Sequence, residues 1–192
     1  MATTIDHRLE IYQKYIQVND RVLEFGARDH HLITLLKCQT RAMVPVDDAG
    51  KSPSNIAIYE RIENVPKDSL DVVISHHALE LTLNPADILK QIKEKLVRGG
   101  RLVISVPIDD WRNQNYVDPN PAEKHFYTWT PLLIGNILYE IGYEVEKAVV
   151  YLHDWIDDPK VSHLPQPIQD LHARYRAWRY KRRQLIAVAK NV

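Results

Sequence analysis

Residues that could move a proton are concentrated after the fifth predicted strand of the chain. Asp110 follows that strand in a polar stretch, and His125 lies in the next loop. A histidine or a carboxylate at the mouth of a cleft can accept the proton of a hydroxyl group that acts as a nucleophile. Both residues also have a structural interpretation, in which His125 caps the next helix and Asp110 pairs with Arg112. The sequence leaves both interpretations open.

Two pairs of adjacent histidines, His30–His31 and His76–His77, raise the question of a metal site. Adjacent side chains point to opposite faces of a strand, or about 100 degrees apart on a helix, so neither pair chelates one ion easily. No cysteine motif and no His-Glu-x-x-His spacing supports such a site. We therefore predict no metal, and expect these histidines at the rim of a cleft or at a helix cap.

The elements that must position these residues alternate between helices and strands. The apolar pattern predicts strands over 21–26, 42–47, 55–59, 71–75, 102–107, 144–152 and 185–189. Helices are predicted over 5–16, from Asp29 through Leu36, over 86–97 with Gly99–Gly100 at the end, and over 130–141. This order predicts an α/β fold, with a Rossmann-like, mostly parallel seven-stranded sheet, helices on both faces and an antiparallel edge strand.

Ligands of such sheets bind beyond the carboxyl ends of the parallel strands. Four dipeptides occupy those ends here: Gly26–Ala27, Asp47–Asp48, Ser75–His76 and Pro107–Ile108. The sequence therefore predicts the binding site at that edge of the sheet.

Bulk composition limits the class of protein. The 192 residues suit a single domain over 1–192, with an insertion at 153–184 before the last strand. Lys and Arg total 25, as do Asp and Glu, so no overall field favours nucleic acid or an anionic membrane, and we expect neither as a partner. The single cysteine, Cys38, allows no internal disulfide and fits a reducing, cytoplasmic compartment.

Four segments of the chain carry motifs whose order and spacing are informative when they are taken together. They are Val22–Gly26, Asp68–Glu80 followed by Asn84–Pro85, Leu96–Pro107, and His125–Pro131 continuing through Ile141–Val145. Together they resemble the class I S-adenosylmethionine-dependent methyltransferases, in particular a subgroup of small bacterial enzymes with a His-aromatic-Tyr-Thr-Trp-Thr-Pro segment. The resemblance implies the methyltransferase fold, an enzyme, and S-adenosylmethionine as cofactor.

The resemblance also implies cofactor contacts. Glu24 would lie near the methionine amino group, and Gly26 would let the backbone approach the ligand. Asp47, about twenty residues after Gly26, would bind the ribose hydroxyls, with Asp48 as the fallback. The remaining expected contacts are Ala27, Arg28, Ile62, Glu63, Ser75 and His76. In an oxygen-directed methyl transfer, His125 is our first choice for the base and Asp110 the second.

The chain departs from the family at the glycine loop. Where the family has three alternating glycines, this chain has Gly26, Arg28 and His30. Arg28 could pair with the carboxylate of the cofactor or could fill the pocket. Glu24 could instead pair with Arg21 or Arg28. A short loop over 48–55 replaces a family helix, and Leu81 stands where the family often has histidine.

A basic segment precedes the last strand. A helix is predicted from about Pro167 to Arg183, with Leu171, Tyr175 and Trp178 on one face and arginines around them. One interpretation is an amphipathic helix packed on the sheet with a solvated basic face. The other is a patch for a phosphate-bearing substrate or RNA.

Three functional hypotheses follow. The first is an enzyme that methylates an oxygen of a small acceptor, such as a sugar or glycan hydroxyl. The second is a catalytically inactive methyltransferase fold that serves as a binding or scaffold protein. The third is a nucleotide or phosphate binder that uses Arg28. A pocket open around Gly26 and Asp47 would favour the first, and a pocket filled by Arg28 or His30 the second.

Overall fold

The computed structural model describes residues 7–27, 32–45, 56–108, 124–151, 160–161, 163–180 and 183–192. Its helices are α1 (His7–Gln13), α2 (Pro85–Lys95), α3 (Pro131–Glu140) and α4 (Gln166–Arg179). Its strands are β1 (Arg21–Ala27), β2 (Thr40–Pro45), β3 (Ala57–Ile58), β4 (Leu70–His76), β5 (Leu96–Ile108), β6 (Tyr143–Tyr151) and β7 (Arg183–Asn191). Three short 3-10 turns also lie within the described ranges: η1 (Leu32–Thr34), η2 (Ile62–Asn64) and η3 (Leu79–Leu81). Within these ranges no helix has the length and apolar character needed to cross a bilayer.

The strands form one seven-stranded sheet in the order β3-β2-β1-β4-β5-β7-β6. β1 pairs in parallel with β2 and β4, and β4 pairs in parallel with β5. β7 is antiparallel to both β5 and β6. The predicted α/β fold is therefore confirmed, with the expected antiparallel pairing at one side of a mostly parallel sheet. We call the side where the parallel strands end the carboxyl edge.

Successive strand residues point to opposite faces of the sheet, and other elements cover both faces. On one face, which we call the α2 face, α2 and α3 pack with strand residues that include Leu23, Val73 and Leu102. On the other, the α1 face, α1 and η1 pack with strand residues that include Val22, Ile74 and Val103. The central strands are apolar on both sides because they are buried on both sides.

Two predicted elements differ in the structure. In the described residues, only the single turn η1 stands where a helix from Asp29 through Leu36 was expected, and Asp29 lies outside the described ranges. α2 ends at Lys95, so Gly99–Gly100 does not terminate it but lies within β5, where the register with β4 is irregular. Gly100 is needed there because a Cβ would come within 2.9 Å of the Val97 carbonyl oxygen.

The interpretation of α4 as a helix whose apolar side chains pack on the sheet is also wrong. The three side chains expected to pack are exposed: Leu171 by 69%, Tyr175 by 57% and Trp178 by 67%. Among the side chains of this helix whose burial the structure describes, Ala177 is the buried one. α4 therefore turns its small residues inward and its large apolar residues to solvent.

An ion pair joins β1 to β4 at the start of the two strands. Asp71 Oδ2 accepts hydrogen bonds from the backbone N–H and the Nε of Arg21, both at 2.8 Å, and Oδ1 accepts one from Nη2 at 2.9 Å. The pKa of the Asp71 carboxyl is held below its ordinary value, mainly by the hydrogen bond from the Arg21 side chain. The carboxyl is therefore a stabilising partner in its ionised form.

We expect Asp71→Asn to lower the free energy of unfolding by on the order of 1 kcal/mol at neutral pH. Because the folded-state pKa of Asp71 is depressed, its contribution is present above the unfolded pKa of about 4 and is lost as the pH falls through the folded value. Urea unfolding of wild type and variant between pH 7 and pH 3 should show the two curves converging in acid. Glu144→Gln, which changes an exposed carboxylate of β6, is the control with little expected effect. If the difference in the free energy of unfolding between wild type and Asp71→Asn stays constant with pH, this account is contradicted.

Candidate functional site

Two polar residues project from adjacent strands near the carboxyl edge, on the α1 face. β1 and β4 pair in register, with Glu24 opposite Ile74 and Phe25 opposite Ser75. Glu24 is 4% exposed, and His76 is the last residue of β4. The structure thus brings Glu24 and His76, both predicted cofactor contacts, to neighbouring strands and to one face of the sheet.

Glu24 fixes the chain that follows the glycine turn. Its Oε2 accepts a hydrogen bond from the backbone N–H of Ile33 at 2.8 Å, and its Oε1 accepts one from Leu32 at 3.4 Å. These donors belong to η1, whose first N–H groups need acceptors. Arg21 pairs with Asp71 instead, so the alternative in which Arg21 neutralises Glu24 is wrong. A buried carboxylate at the carboxyl edge is therefore held in place by backbone groups.

Gly26 adopts a backbone conformation that favours glycine. Its φ is +82°, in the left-handed region that other residues enter at a cost. The register between β1 and β2 shifts here, between Phe25 and Ala27. Ala27 is buried at 1% exposure, beside Pro45 of β2. The glycine allows the chain to leave the sheet at the point where the resemblance places the cofactor.

His76 is held by a residue that the sequence did not bring to the site. The hydroxyl of Tyr12 in α1 lies 2.9 Å from His76 Nδ1, and the two rings meet edge to face at 5.9 Å. Tyr12 is fully buried, and a buried tyrosine hydroxyl generally finds a polar partner. From the sequence, this rule indicates only that a buried Tyr12 needs a polar partner. It does not identify His76 as that partner, because His76 lies 64 positions away.

His77 and Glu80 form a second polar group beside His76. The His76 and His77 rings are stacked with centroids 4.4 Å apart, so the expectation that they point to opposite faces is wrong. The reason is that His77 lies beyond β4, with a left-handed φ of +50° and its N–H donated to the Ser105 carbonyl at 2.8 Å. His77 Nδ1 lies 3.9 Å from Glu80 Oε1, a carboxylate that is 1% exposed. A histidine beside a buried carboxylate is suited to accept a proton.

The segment 124–130 lies against η3. The Phe126 N–H donates to the Glu80 carbonyl at 2.7 Å, and the Tyr127 hydroxyl donates to the Leu83 carbonyl at 2.8 Å. His125 is exposed and precedes Phe126 directly, so it lies next to η3. Thr130 caps α3 by accepting the Leu133 N–H at 3.1 Å. The interpretation of His125 as the helix cap is therefore wrong.

Ser75 carries a buried hydroxyl at the end of β4. Its side chain is fully buried, and its Oγ has no hydrogen-bond partner among the described residues. A buried hydroxyl without a partner costs about 1–3 kcal/mol. A group supplied by a bound molecule or by water would satisfy it.

The predicted adenine-side contacts, Ile62 and Glu63, both lie in η2. Ile62 is buried in the core of the α2 face, so its side chain packs away from Glu24. Glu63 pairs with Arg61 at 3.4 Å, and its carbonyl accepts Lys95 Nζ at 3.4 Å. A hydrogen bond from its own backbone, with help from Arg61, lowers the pKa of Glu63.

Some predicted site residues cannot be placed. Arg28, Asp47, Asp48 and Asp110 lie outside the described residues. Among the residues that are described, no three His, Cys, Asp or Glu side chains converge in a way that could hold a metal ion.

Comparison with known proteins identifies the fold. The sequence profile of a family described as "Methyltransferase domain" matches residues 1–148. A search of curated protein sequences gives no significant match. An S-adenosylmethionine-dependent methyltransferase from Mesorhizobium loti superimposes with a TM-score of 0.63 at 15% identity, covering 90% of this chain and 92% of that chain.

Two further solved structures show what else has this fold. The 1,6-didemethyltoxoflavin-N1-methyltransferase of Burkholderia thailandensis, with 1,6-didemethyltoxoflavin and S-adenosylhomocysteine bound, has a TM-score of 0.62 at 13% identity, over 90% of this chain and 71% of that chain. The [4+2]-cyclase SpnF has a TM-score of 0.64 at 10% identity, over 96% and 80%. The family match covers well over half of the sequence, and it agrees with the four segments that carried the resemblance. The chain belongs to the methyltransferase family that this sequence profile describes.

Proposed function

We propose that this protein transfers a methyl group from S-adenosylmethionine to an oxygen of a small acceptor, with a sugar or glycan hydroxyl as the favoured class, in a reducing, cytoplasmic compartment. The observation that carries the proposal is the polar group His76, His77 and Glu80 at the carboxyl end of β4. It lies on the strand next to β1, which carries Glu24 and Gly26. An acceptor hydroxyl needs a proton acceptor near the cofactor, and this group offers one.

The residues present fit a cofactor with a charged amino acid end and a ribose. Glu24 is a buried carboxylate suited to an ammonium group, and Gly26 opens the backbone for close approach. The buried Ser75 hydroxyl is a further polar group at the same edge. Asp47, with Asp48 as fallback, is proposed for the ribose, and Arg28 for the carboxylate. When bound, S-adenosylmethionine supplies an electrophilic methyl group on a sulfonium.

Two histidines are candidates for the base. His77 has the Glu80 carboxylate at 3.9 Å, and a carboxylate both orients an imidazole and stabilises its protonated form. His125, the choice from sequence, lies beside η3 and is exposed. Asp110 remains the second choice from sequence. We propose His77 as the general base, with His125 as the alternative candidate.

A catalytically inactive binding protein is the second candidate function. One observation favours it: in the described residues, a single 3-10 turn follows the glycine turn, where a full helix was expected to present its N–H groups. SpnF has this fold and is named for a different reaction, so the fold does not by itself require methyl transfer.

Isothermal calorimetry with S-adenosylmethionine tests the proposal. We expect binding in the micromolar range for the wild type, and a loss of more than about tenfold in Asp47→Ala, because the ribose hydroxyls lose their acceptor. Glu144→Ala, at an exposed position of β6, is the control and should bind as the wild type does. Absence of binding to S-adenosylmethionine and S-adenosylhomocysteine in a folded sample would leave the inactive binding protein as the better account.

A further inference from the structure

α4 exposes its large apolar side chains, unlike a helix that packs on a core. Its exposed large residues are Ile168, Leu171, Tyr175 and Trp178, which we call the outer stripe. At about 100 degrees per residue these four positions fall within about 80 degrees of one another. Ala173 and Ala177 lie on the opposite side of the helix. A surface helix of a globular protein normally turns its large apolar residues inward, so packing against the described residues does not explain the outer stripe.

Basic residues border the outer stripe on both sides. By the same helical spacing Arg174 lies along one margin and Arg179 along the other, and both are exposed. Over 166–183 the sequence has six basic residues and one acidic residue, Asp170. The zero net charge of the whole chain, from which no membrane partner was expected, hides this local concentration. A partner that matches the outer stripe and its borders would be anionic as well as apolar.

A second copy of this chain does not fit that description. Two outer stripes packed together would bring the bordering arginines of one copy close to those of the other, with repulsion between them. RNA would match the charge, but it offers nothing to the aliphatic side chains Ile168 and Leu171. Tryptophan and tyrosine beside aliphatic residues and arginines are the composition of helices that lie in the headgroup region of a bilayer.

We propose that α4 docks the protein on an anionic phospholipid bilayer, with the outer stripe inserted among the headgroups and the bordering arginines on the lipid phosphates. The segment that contains α4 leaves the sheet after Tyr151, the end of β6, and re-enters it near Gln184 of β7, which pairs with Tyr151. Both residues lie at the carboxyl edge. Only residues 181–182 separate Tyr180 from the first residue of β7. Docking therefore holds the candidate site close to the lipid headgroups.

Flotation with vesicles tests the docking directly. We expect the full chain to float with phosphatidylcholine vesicles that contain about one third phosphatidylglycerol, and not with pure phosphatidylcholine. Binding should fall as salt is raised. The double variant Leu171→Ser, Trp178→Ser should bind the anionic vesicles at least about tenfold more weakly. The variant Arg174→Glu, Arg179→Glu should also lose binding.

The matched control is Leu132→Ser with Tyr139→Ser on α3, since each of these residues is 73% exposed. It removes equally exposed apolar groups and should float like the wild type. Circular dichroism should give the same Tm for all variants, because none of the substituted residues is buried. Calorimetry with S-adenosylmethionine on the same samples keeps failure of docking separate from failure of the proposed function.

Three results would overturn the proposal. The first is wild-type protein that does not float with anionic vesicles, and the second is unchanged binding in the Leu171, Trp178 variant. The third is a dimer formed without vesicles, or a complex with an RNA oligonucleotide, that the Leu171→Ser, Trp178→Ser variant no longer forms although it still floats with vesicles. Such a result would assign the outer stripe to a second copy or to RNA.

Discussion

Replacing Glu24 with alanine is expected to lower the free energy of unfolding by about 2–5 kcal/mol and to abolish measurable binding of S-adenosylmethionine. The stability loss arises because the N–H groups of Leu32 and Ile33 lose their acceptor in a buried place. The loss of binding arises because the proposed partner of the cofactor's ammonium group is gone. Urea unfolding and calorimetry measure the two effects separately.

Glu24→Gln separates the structural role from the binding role. The amide oxygen can still accept the Ile33 N–H, so most of the stability should remain. The charge is lost, so affinity for S-adenosylmethionine should still fall by about tenfold or more. Glu63→Gln, which changes a half-exposed carboxylate, is the comparison for stability. If Glu24→Gln binds the cofactor as tightly as the wild type, Glu24 serves only to hold η1.

His77→Asn is expected to reduce methyl transfer by about 100- to 10,000-fold, the usual range for loss of a general base. Asparagine tolerates the left-handed backbone that His77 adopts, so the variant should fold. S-adenosylmethionine should bind it with unchanged affinity. The measurement is formation of S-adenosylhomocysteine with hydroxyl-bearing acceptors, beginning with a panel of sugars.

Parallel substitution of the other histidines identifies the base. His125→Asn should have a smaller effect, because His125 is exposed, whereas His77 lies beside the buried Glu80 carboxylate. His163→Asn, at an exposed position before α4, should have none. If His125→Asn gives the larger loss, the base is His125, as first inferred from the sequence.

The strands and the sheet could be predicted because their signal is local. Apolar runs such as Val72–Ile74 are buried on both faces, and the Thr130–Pro131 start of α3 follows from capping chemistry. These inferences use neighbouring residues alone. The proposals for Glu24 and Gly26 come instead from the resemblance of Val22–Gly26 to the opening strand and glycine turn of the family.

The contacts that complete the candidate site depend on the folded chain. Tyr12 meets His76 only because α1 packs across the end of β4. The stacking of His77 on His76 depends on a left-handed backbone that no local pattern indicates. The orientation of α4 was predicted wrongly because helical spacing defines an apolar side but does not show which side faces the protein.

The position of β7 has a consequence for how the chain assembles during synthesis. β7 is made after β6, yet it lies between β5 and β6. Until it emerges from the ribosome, β5 exposes an unpaired edge and β6 has no strand to join in this sheet, both of which are hazards for aggregation. Asn191 then fastens the end of β7 to the start of β5 through hydrogen bonds from its Nδ2 to the Leu96 carbonyl at 2.8 Å and the Val97 carbonyl at 3.3 Å. The sheet of the nascent protein therefore stays in two unjoined parts until one late strand bridges them.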